Sequence, residues 1–191
     1  GPVLEALLLG VEAHEGIFST DDELVLIGAG KDAENVVFGM PLYVDGVPSH
    51  MLAFMKAMEK FCIHNNICLK VYAVSNGGFI EGCQNRPLMQ VLENFCKRCN
   101  FQWCGGVGIG GGGGLAMMPK MEPRRGPKAP IDKALMELSE VILKKEKQEN
   151  KYVSIGFLRS MYKMRAHMGW RKMIKENGGT EKDLARRPEE R

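Results

Sequence analysis

The sequence has no long apolar run. No apolar segment approaches the about 18 residues that a membrane-spanning helix needs, so we expect no membrane span. The apolar segment near the start, residues 3–11, contains Glu5 and has no basic leader, so it lacks the pattern of a signal peptide. The chain also begins without Met, which suggests a processed product or a fragment.

The sequence also lacks the patterns of disulfide frameworks, metal sites and nucleophilic catalysis. Its six cysteines have no framework spacing and lie in apolar contexts, which indicates reduced thiols in a cytoplasmic protein. Its four histidines are scattered, and no pair has metal-ligand spacing. No Ser/His/Asp or Cys/His set can be assembled from the sequence. We therefore expect no bound metal and name no catalytic nucleophile, acid or base.

Charge is nearly balanced over the whole chain but unevenly distributed. The formal net charge is +3 at pH 7. Residues 150–191 contain eleven Lys or Arg and five acids, which leaves residues 1–149 with a net charge of −3. A chain of 191 residues suits one domain with an appendage. We therefore predict a slightly acidic domain over residues 1–149 and a basic extension over residues 150–191.

Short apolar segments alternate with longer segments of helical periodicity along the first part of the chain. The segments that match buried strands are residues 24–27, 35–40, 69–74 and 101–109. The segments with apolar residues at helical spacing are residues 3–14, 50–61, 87–99 and 131–142. Ser49 is placed to cap the second of these helices, and Asn100 to end the third. The alternation predicts an α/β fold with a parallel sheet.

The basic extension has a different pattern. Between residues 157 and 172, apolar and aromatic residues are interleaved with Lys and Arg. We predict a helical extension with an apolar side that packs on its own domain or on a partner. Basic helices can bind nucleic acid or acidic lipid, but the Met and aromatic content here favours docking against protein. We therefore do not expect nucleic acid as a partner.

Two loops carry the main functional signal. The first, residues 41–49 (PLYVDGVPS), follows one predicted strand and combines two prolines, an aromatic residue and a glycine. The second, residues 75–84 (SNGGFIEGCQ), follows the next strand and contains three glycines, which permit close backbone approach. Loops at the carboxyl ends of strands form the ligand crevice of an open α/β sheet. We therefore expect the two loops to meet there, although each alone also suits an ordinary turn.

As a pair, PLYVDGVPS and SNGGFIEGCQ resemble the flavin-contacting loops of the flavodoxin-like NAD(P)H-dependent FMN oxidoreductases. The glycine-rich end of the strand at residues 101–109, the helix from Ile131 and the Trp170-Arg171-Lys172 segment fit the same group. The resemblance implies a flavodoxin-like three-layer α/β/α fold with FMN held between the two loops. The residues that it implies as FMN contacts are Pro41, Leu42, Tyr43, Val44, Asp45, Gly46, Asn76, Gly77, Gly78, Phe79 and Gly82.

The resemblance also implies an activity. In these oxidoreductases FMN takes hydride from NADPH or NADH and passes electrons to a small-molecule electron acceptor, such as a quinone, a nitro compound or another flavin. A homodimer would cover the open crevice. Two alternatives stay open: an FMN-binding electron carrier that oxidises no nicotinamide, and a truncated, non-catalytic relative that acts through its basic tail.

The chain departs from this family at its start. Members of the family begin with a strand whose Ser/Thr-rich loop cradles the FMN phosphate at a helix N-terminus. This sequence begins at the helix that would follow that strand, and no substitute loop is visible near residue 1. We therefore expect that the first strand and the phosphate-binding loop are missing, or that another element fills the gap.

Two further motifs have weaker functional interpretations. Residues 106–111 match G-x-G-x-x-G after a strand, but prolines rather than a helix follow. A loop beside the flavin crevice is therefore favoured over a dinucleotide site. Cys96, Cys99 and Cys104 suggest a metal or iron–sulfur site, yet the first two lie on the apolar stripe of a predicted helix and the third lies in a predicted strand. We interpret them as buried thiols.

Overall fold

The computed structural model describes residues 34–112, 126–156, 159–180 and 182–183. The predicted helix at residues 3–14, the predicted strand at residues 24–27 and most of the glycine- and proline-rich segment after residue 110 lie outside these ranges. The expectations about a missing first strand and phosphate-binding loop concern the same start of the chain and also lie outside them.

A parallel sheet forms the centre of the fold. Its four strands are β1 (Asn35–Pro41), β2 (Lys70–Asn76), β3 (Gln102–Gly110) and β4 (Lys151–Ser154). They lie side by side in the order of the sequence, and every neighbouring pair is parallel. Parallel neighbours need a crossover connection, usually a helix, and this explains the alternation of strands and helices. The predicted α/β class with a parallel sheet is confirmed.

Helices connect the strands and cover both faces of the sheet. They are α1 (Ser49–His64), a 3₁₀ helix (Gly82–Asn85), α2 (Arg86–Cys99) and α3 (Ala129–Leu143), with a short 3₁₀ turn at Gly126–Lys128. Buried side chains of α1 and α2 form one apolar cluster with Val71 and Ala73 of β2. Helix α3 contacts β3 and β4, and its buried side chains are outside that cluster. Helices therefore lie on both faces, as in a three-layer α/β/α fold.

The strand order agrees with the flavodoxin-like expectation. In the flavodoxin-like order 2-1-3-4-5, the last three strands are neighbours in sequence order. The strands β1, β2 and β3 have this relation, and they carry the two loops that the sequence singles out. Strand β4 lies beyond β3 at the edge of the sheet.

Edge-to-face aromatic contacts tie α1 and α2 to the sheet. The Phe38 ring of β1 lies 6.3 Å from Phe54 and 6.4 Å from Phe95. The Phe95 ring lies 5.9 Å from Phe101, which precedes β3. Their interplanar angles are 70–83°, the arrangement that aromatic quadrupoles favour. The rings therefore link β1 through α2 to the start of β3, and Phe54 joins α1 to the same group.

Two sequence expectations about segment ends are wrong, and one is confirmed. Ser49 is the first residue of α1 and makes no side-chain cap, because Pro48 occupies the capping position. The strand ending near residue 109 is not the last one, since Lys151–Ser154 joins the sheet as β4. The predicted extension therefore contains the end of the sheet as well as a long helix, α4 (Arg159–Glu176). Asn100 ends α2 in the left-handed conformation, as expected.

The chain divides into two compact units, with the division after Gly156. The second unit contains α4, whose exposed large apolar side chains are Met161, Met164, Met168, Trp170 and Met173. Within the described ranges, no helix combines the length and apolar composition that crossing a bilayer requires.

The thiols of the Cys96, Cys99 and Cys104 group are buried, as the sequence predicts. Burial raises the pKa of Cys96 to about 12 and that of Cys99 to about 11, because removal from water disfavours the thiolate. Burial also raises the pKa of the Cys62 thiol. Among the described residues, no group of three His, Cys, Asp or Glu is arranged to hold a metal ion. These thiols therefore behave as small apolar side chains of the core.

Thiol labelling tests this arrangement. Of the six cysteines, only Cys68 and Cys83 are exposed, and thiolate is the reactive form. We expect two thiols to react rapidly with a disulfide reagent in the folded protein near pH 8, and all six in guanidinium chloride. A Cys83→Ser variant should lose one rapid equivalent. Rapid labelling of a third thiol in the folded wild type would contradict the described core.

Candidate functional site

Three loops leave the carboxyl ends of neighbouring strands and lie along one edge of the sheet. Loop A (residues 42–48) follows β1, loop B (residues 77–81) follows β2, and loop C is Gly111 and Gly112, the described residues after β3. We call these three loops the crest. In parallel α/β sheets the crevice outside the carboxyl ends of the strands is the usual ligand site. The crest contains most of the residues that the sequence predicts as contacts for a cofactor.

Loop A is built on a tight turn. The Tyr43 N–H donates to the Gly46 carbonyl at 3.2 Å, and the Gly46 N–H donates to the Tyr43 carbonyl at 2.9 Å. The two central residues, Val44 and Asp45, have φ of 46° and 58°, which is the geometry of a type I′ turn. The two residues with positive φ in this loop are thus Val44 and Asp45, and not Gly46. Positive φ is rare for a β-branched residue such as Val44. The turn leaves the Val44 side chain fully exposed and Tyr43 60% exposed.

Loops A and B meet at the end of the first two strands, as the sequence predicts. Pro41 pairs with Asn76 in the β1–β2 register. One residue further, the Leu42 N–H donates to the Asn76 carbonyl at 2.9 Å. A Cβ atom on Gly77 would lie 3.5 Å from the Leu42 side chain, which is van der Waals contact. The two loops therefore form one continuous surface.

Backbone hydrogen bonds tie loop B to β3 and loop C. The Gly77 N–H donates to the Ile109 carbonyl at 2.8 Å. In return, the Gly112 N–H donates to the Gly77 carbonyl at 2.9 Å, and the Gly111 N–H donates to the Phe79 carbonyl at 2.5 Å. The Gly77 N–H is therefore used inside the protein and is not free to donate to a ligand. The Phe79 ring remains 59% exposed.

Asn76 provides an unpaired acceptor at the centre of the crest. It is the last residue of β2, and its Oδ1 atom is buried and has no hydrogen-bond donor within the part of the chain that the structure describes. Gly112 packs closely on the same carboxamide, since a Cβ there would lie 2.4 Å from Oδ1. Buried polar atoms in native proteins nearly always have partners. An N–H or O–H group of a ligand would satisfy this acceptor.

Gly82, also predicted as a cofactor contact, lies away from the open face of the crest. It is buried, and a Cβ there would lie only 2.2 Å from the Val153 carbonyl oxygen of β4. Its N–H donates to Ser154 Oγ at 3.0 Å. The absence of a side chain at this position lets the 3₁₀ helix approach β4. Its role in this structure is therefore packing.

Asn85 is a buried polar residue that the sequence analysis did not single out. Its Nδ2 donates to the carbonyls of Gly82 and Ile109, both at 3.0 Å, and its Oδ1 accepts from Ser75 Oγ at 2.7 Å. One carboxamide thus links β2, β3 and the 3₁₀ helix below the crest. The available sequence signal was an Asn directly before a helix with Pro in its first turn, which suggests a cap. The side chain instead makes no cap hydrogen bond.

Three glycines of β3, two of them in the G-x-G-x-x-G match and Gly110 between its last two positions, have a packing role. Gly106, Gly108 and Gly110 alternate along β3 and so share one face. Cβ atoms there would lie 2.9 Å from Met89 Sδ, 2.7 Å from Asn85 Cβ and 2.2 Å from the Ile80 carbonyl oxygen, respectively. These distances are too short for real side chains. The glycines therefore let α2, the 3₁₀ helix and the end of loop B lie directly on the strand.

Arg86 and Tyr152 form a charged contact beside this packed region. The Arg86 guanidinium lies 5.6 Å from the centre of the Tyr152 ring, within the range of a cation–π interaction. Burial raises the pKa of the Tyr152 phenol, and the nearby Arg86 charge partly opposes that rise. The phenol is thus held in its neutral form near the end of β4.

Comparison of the chain with known proteins gives only a distant likeness. No protein family model matches the chain, and no curated protein matches it. Among solved structures, the chain is similar to the flavodoxin, WrbA-like protein from Agrobacterium tumefaciens, with 20% identity and a TM-score of 0.41. The likeness covers 53% of this chain and 66% of that chain, which is slightly less than two thirds of its length. A likeness this distant carries no argument about ligand or activity.

The Asn85 network gives a stability prediction. Asn85→Ala would remove a donor from the Gly82 carbonyl, one of the two donors of the Ile109 carbonyl, and the acceptor of the Ser75 hydroxyl, so we expect the free energy of unfolding to fall by about 2–4 kcal/mol. Asn94 lies exposed on α2 and is the matched control; its Ala variant should change stability by less than about 0.5 kcal/mol. Urea unfolding followed by circular dichroism measures both. Equal stabilities of the two variants would contradict the described network.

Proposed function

We propose that this chain binds FMN at the crest and acts as an NAD(P)H-dependent FMN oxidoreductase. The observation that carries the proposal is the arrangement of loops A and B. They join at the carboxyl ends of adjacent parallel strands and leave the rings of Tyr43 and Phe79 exposed, and Asn76, where the two loops join, has a buried Oδ1 without a partner among the described residues. This combination suits a flat ligand that also carries hydrogen-bond donors.

The chemistry of FMN matches this set of groups. Exposed aromatic rings offer flat faces to an isoalloxazine ring, and the ring N–H or a ribityl hydroxyl is a donor that suits Asn76 Oδ1. Among the described residues other than its chain neighbours, no atom lies within 4 Å of the place where a Cβ of Gly78 would be. The sequence shows no phosphate-binding loop near residue 1, and that segment lies outside the described ranges, so this support concerns the ring end of the ligand.

The protein's part in the reaction would be to bind, orient and expose the cofactor. When bound, FMN supplies the hydride-accepting and electron-transferring chemistry. Loop A would border one side of the ring through Pro41, Leu42 and the turn at Val44, and loop B would border the other through Phe79. Asp45 is exposed at the tip of the turn. We assign binding roles to the residues of the crest and no acid–base role to any of them.

The proposed acceptor is a small molecule such as a quinone, a nitro compound or a flavin, and the proposed assembly is a cytoplasmic homodimer. The fully exposed Val44 side chain and the exposed Tyr43 ring on loop A support an approach by a partner molecule or a second copy. Helix α4 separately exposes five large apolar side chains, which a second copy would also cover.

The visible spectrum of the purified chain tests the function. The protein is titrated with FMN, and NADPH is then added without oxygen. We expect a flavin absorption band that shifts on binding and then bleaches. Bound flavin that does not bleach with NADPH or NADH would favour an electron carrier over a reductase. A protein that binds no FMN at any concentration would overturn the proposal.

A pair of variants places the ligand on the crest. Phe79→Ala removes an exposed ring from loop B, and we expect the FMN Kd to rise about tenfold, because aromatic stacking on a ring is worth roughly 1–3 kcal/mol. Val91→Ala removes a partly exposed apolar side chain from α2 and should leave the Kd unchanged. Fluorescence titration measures both, and thermal unfolding checks that each variant is folded. Equal Kd values would exclude Phe79 as a contact.

A further inference from the structure

We propose that Ser154 of β4 is a positioning residue for the ligand-binding face of loop B, acting through Gly82. The inference rests on the proposed function, since the ligand is the FMN proposed above. It assigns a role in the site to a residue that the sequence places in the C-terminal extension. Its basis is a set of contacts from the end of β4 to Gly82, which follows loop B, and to Gly111 of loop C.

Gly82 is held by two hydrogen bonds and by close backbone contact with β4. Its N–H donates to Ser154 Oγ at 3.0 Å, and its carbonyl accepts from Asn85 Nδ2 at 3.0 Å. A Cβ on Gly82 would lie 2.2 and 2.7 Å from the Val153 carbonyl oxygen and nitrogen, so the backbones touch. Gly82 is therefore the point where the loop is attached to the edge strand.

Loop B is short and attached at both ends. Gly77 is fixed by its hydrogen bond to Ile109 at one end, and Gly82 follows the loop at the other. Only residues 78–81 lie between these two fixed points. Phe79, which we propose as the stacking residue, is among them and is exposed. A change in the position of Gly82 must therefore be taken up within the few residues that face the ligand.

Ile155, the residue after β4, packs on Gly111 of loop C. Gly111 has φ of +83°, and a Cβ there would lie 2.7 Å from Ile155 Cγ2. Gly111 in turn donates to the Phe79 carbonyl. The end of β4 thus reaches loop B by a hydrogen bond through Ser154 and by a packing contact through Ile155. Both contacts lead to the backbone that carries Phe79.

Removal of the Ser154 hydroxyl tests the positioning of loop B separately from the folding of β4. Strand pairing of β4 uses backbone groups, and Ser154 pairs with Gly110 in the register. A side-chain change at residue 154 leaves that pairing in place. It removes the acceptor of the Gly82 N–H, and an unpaired buried N–H is costly. We therefore expect the Gly82 attachment to open while the sheet remains.

The test uses the full chain and shape-matched variants. Val and Thr side chains have the same shape, so Ser154→Val and Ser154→Thr differ in the hydroxyl, which only Thr keeps. Ser154→Ala also removes the hydroxyl, and its side chain is smaller than that of Ser. Ser160→Ala on α4, where Ser160 is exposed, is the control. Amide hydrogen exchange in the FMN-free protein reports on Gly82 and residues 78–81. Titration gives the FMN Kd, and the visible circular dichroism of bound flavin reports on ring placement.

We expect the Val and Ala variants to exchange the Gly82 and loop B amides about tenfold faster than wild type and to bind FMN about five- to tenfold more weakly, with an altered flavin signal. The Thr variant and the Ser160→Ala control should behave as wild type. Unchanged exchange at Gly82 in the Val variant would overturn the inference while leaving FMN binding by wild type intact. Faster exchange with an unchanged Kd would overturn the positioning role. Wild type that binds no FMN would remove the proposed function and the inference with it.

Discussion

The close approach of the 3₁₀ helix and α2 to β3 is the constraint on which the site depends. Gly108 and Gly110 leave no side chain between the strand and the segment above it, so Asn85 can reach the Ile109 carbonyl. Any larger residue on this face would lift loop B off the sheet. The sheet, the crest and the Asn85 network are therefore parts of one arrangement. Each requires the backbone of the 3₁₀ helix to lie close to the backbone of β3.

The crest follows from parallel pairing. Because β1, β2 and β3 are parallel neighbours, their carboxyl ends meet at one edge, and loops that are far apart in sequence become adjacent. Within that surface the hydrogen-bonding groups are mostly used internally, as at Gly77. Two aromatic rings stay exposed, and the buried Oδ1 of Asn76 stays without a partner among the described residues. This division between internal and open groups is the physical basis of the proposed flavin site.

Part of the site could be predicted from sequence because its signals are local. Proline, glycine and aromatic residues after an apolar strand indicate a functional loop, and adjacent strands bring two such loops together. Asn85, Ser154 and the packing role of Gly82 have no such signal. Asn85 bonds Ser75 and Ile109, which lie 10 and 24 residues away along the chain, and Ser154 lies 72 residues from Gly82. A lone Ser or Asn in a sequence does not indicate which distant backbone group it will meet.

Periodicity and local backbone preferences are properties of neighbouring residues, so the α/β class, the places of the main strands and helices in residues 34–143 and the two loops at the carboxyl edge can be read from the sequence. Contacts between distant segments make Lys151–Ser154 an edge strand, give the β3 glycines their packing role and attach loop B to Ser154 through Gly82. A short, polar strand such as β4 buries little by itself, so its conformation depends on the open edge of β3 that it pairs with.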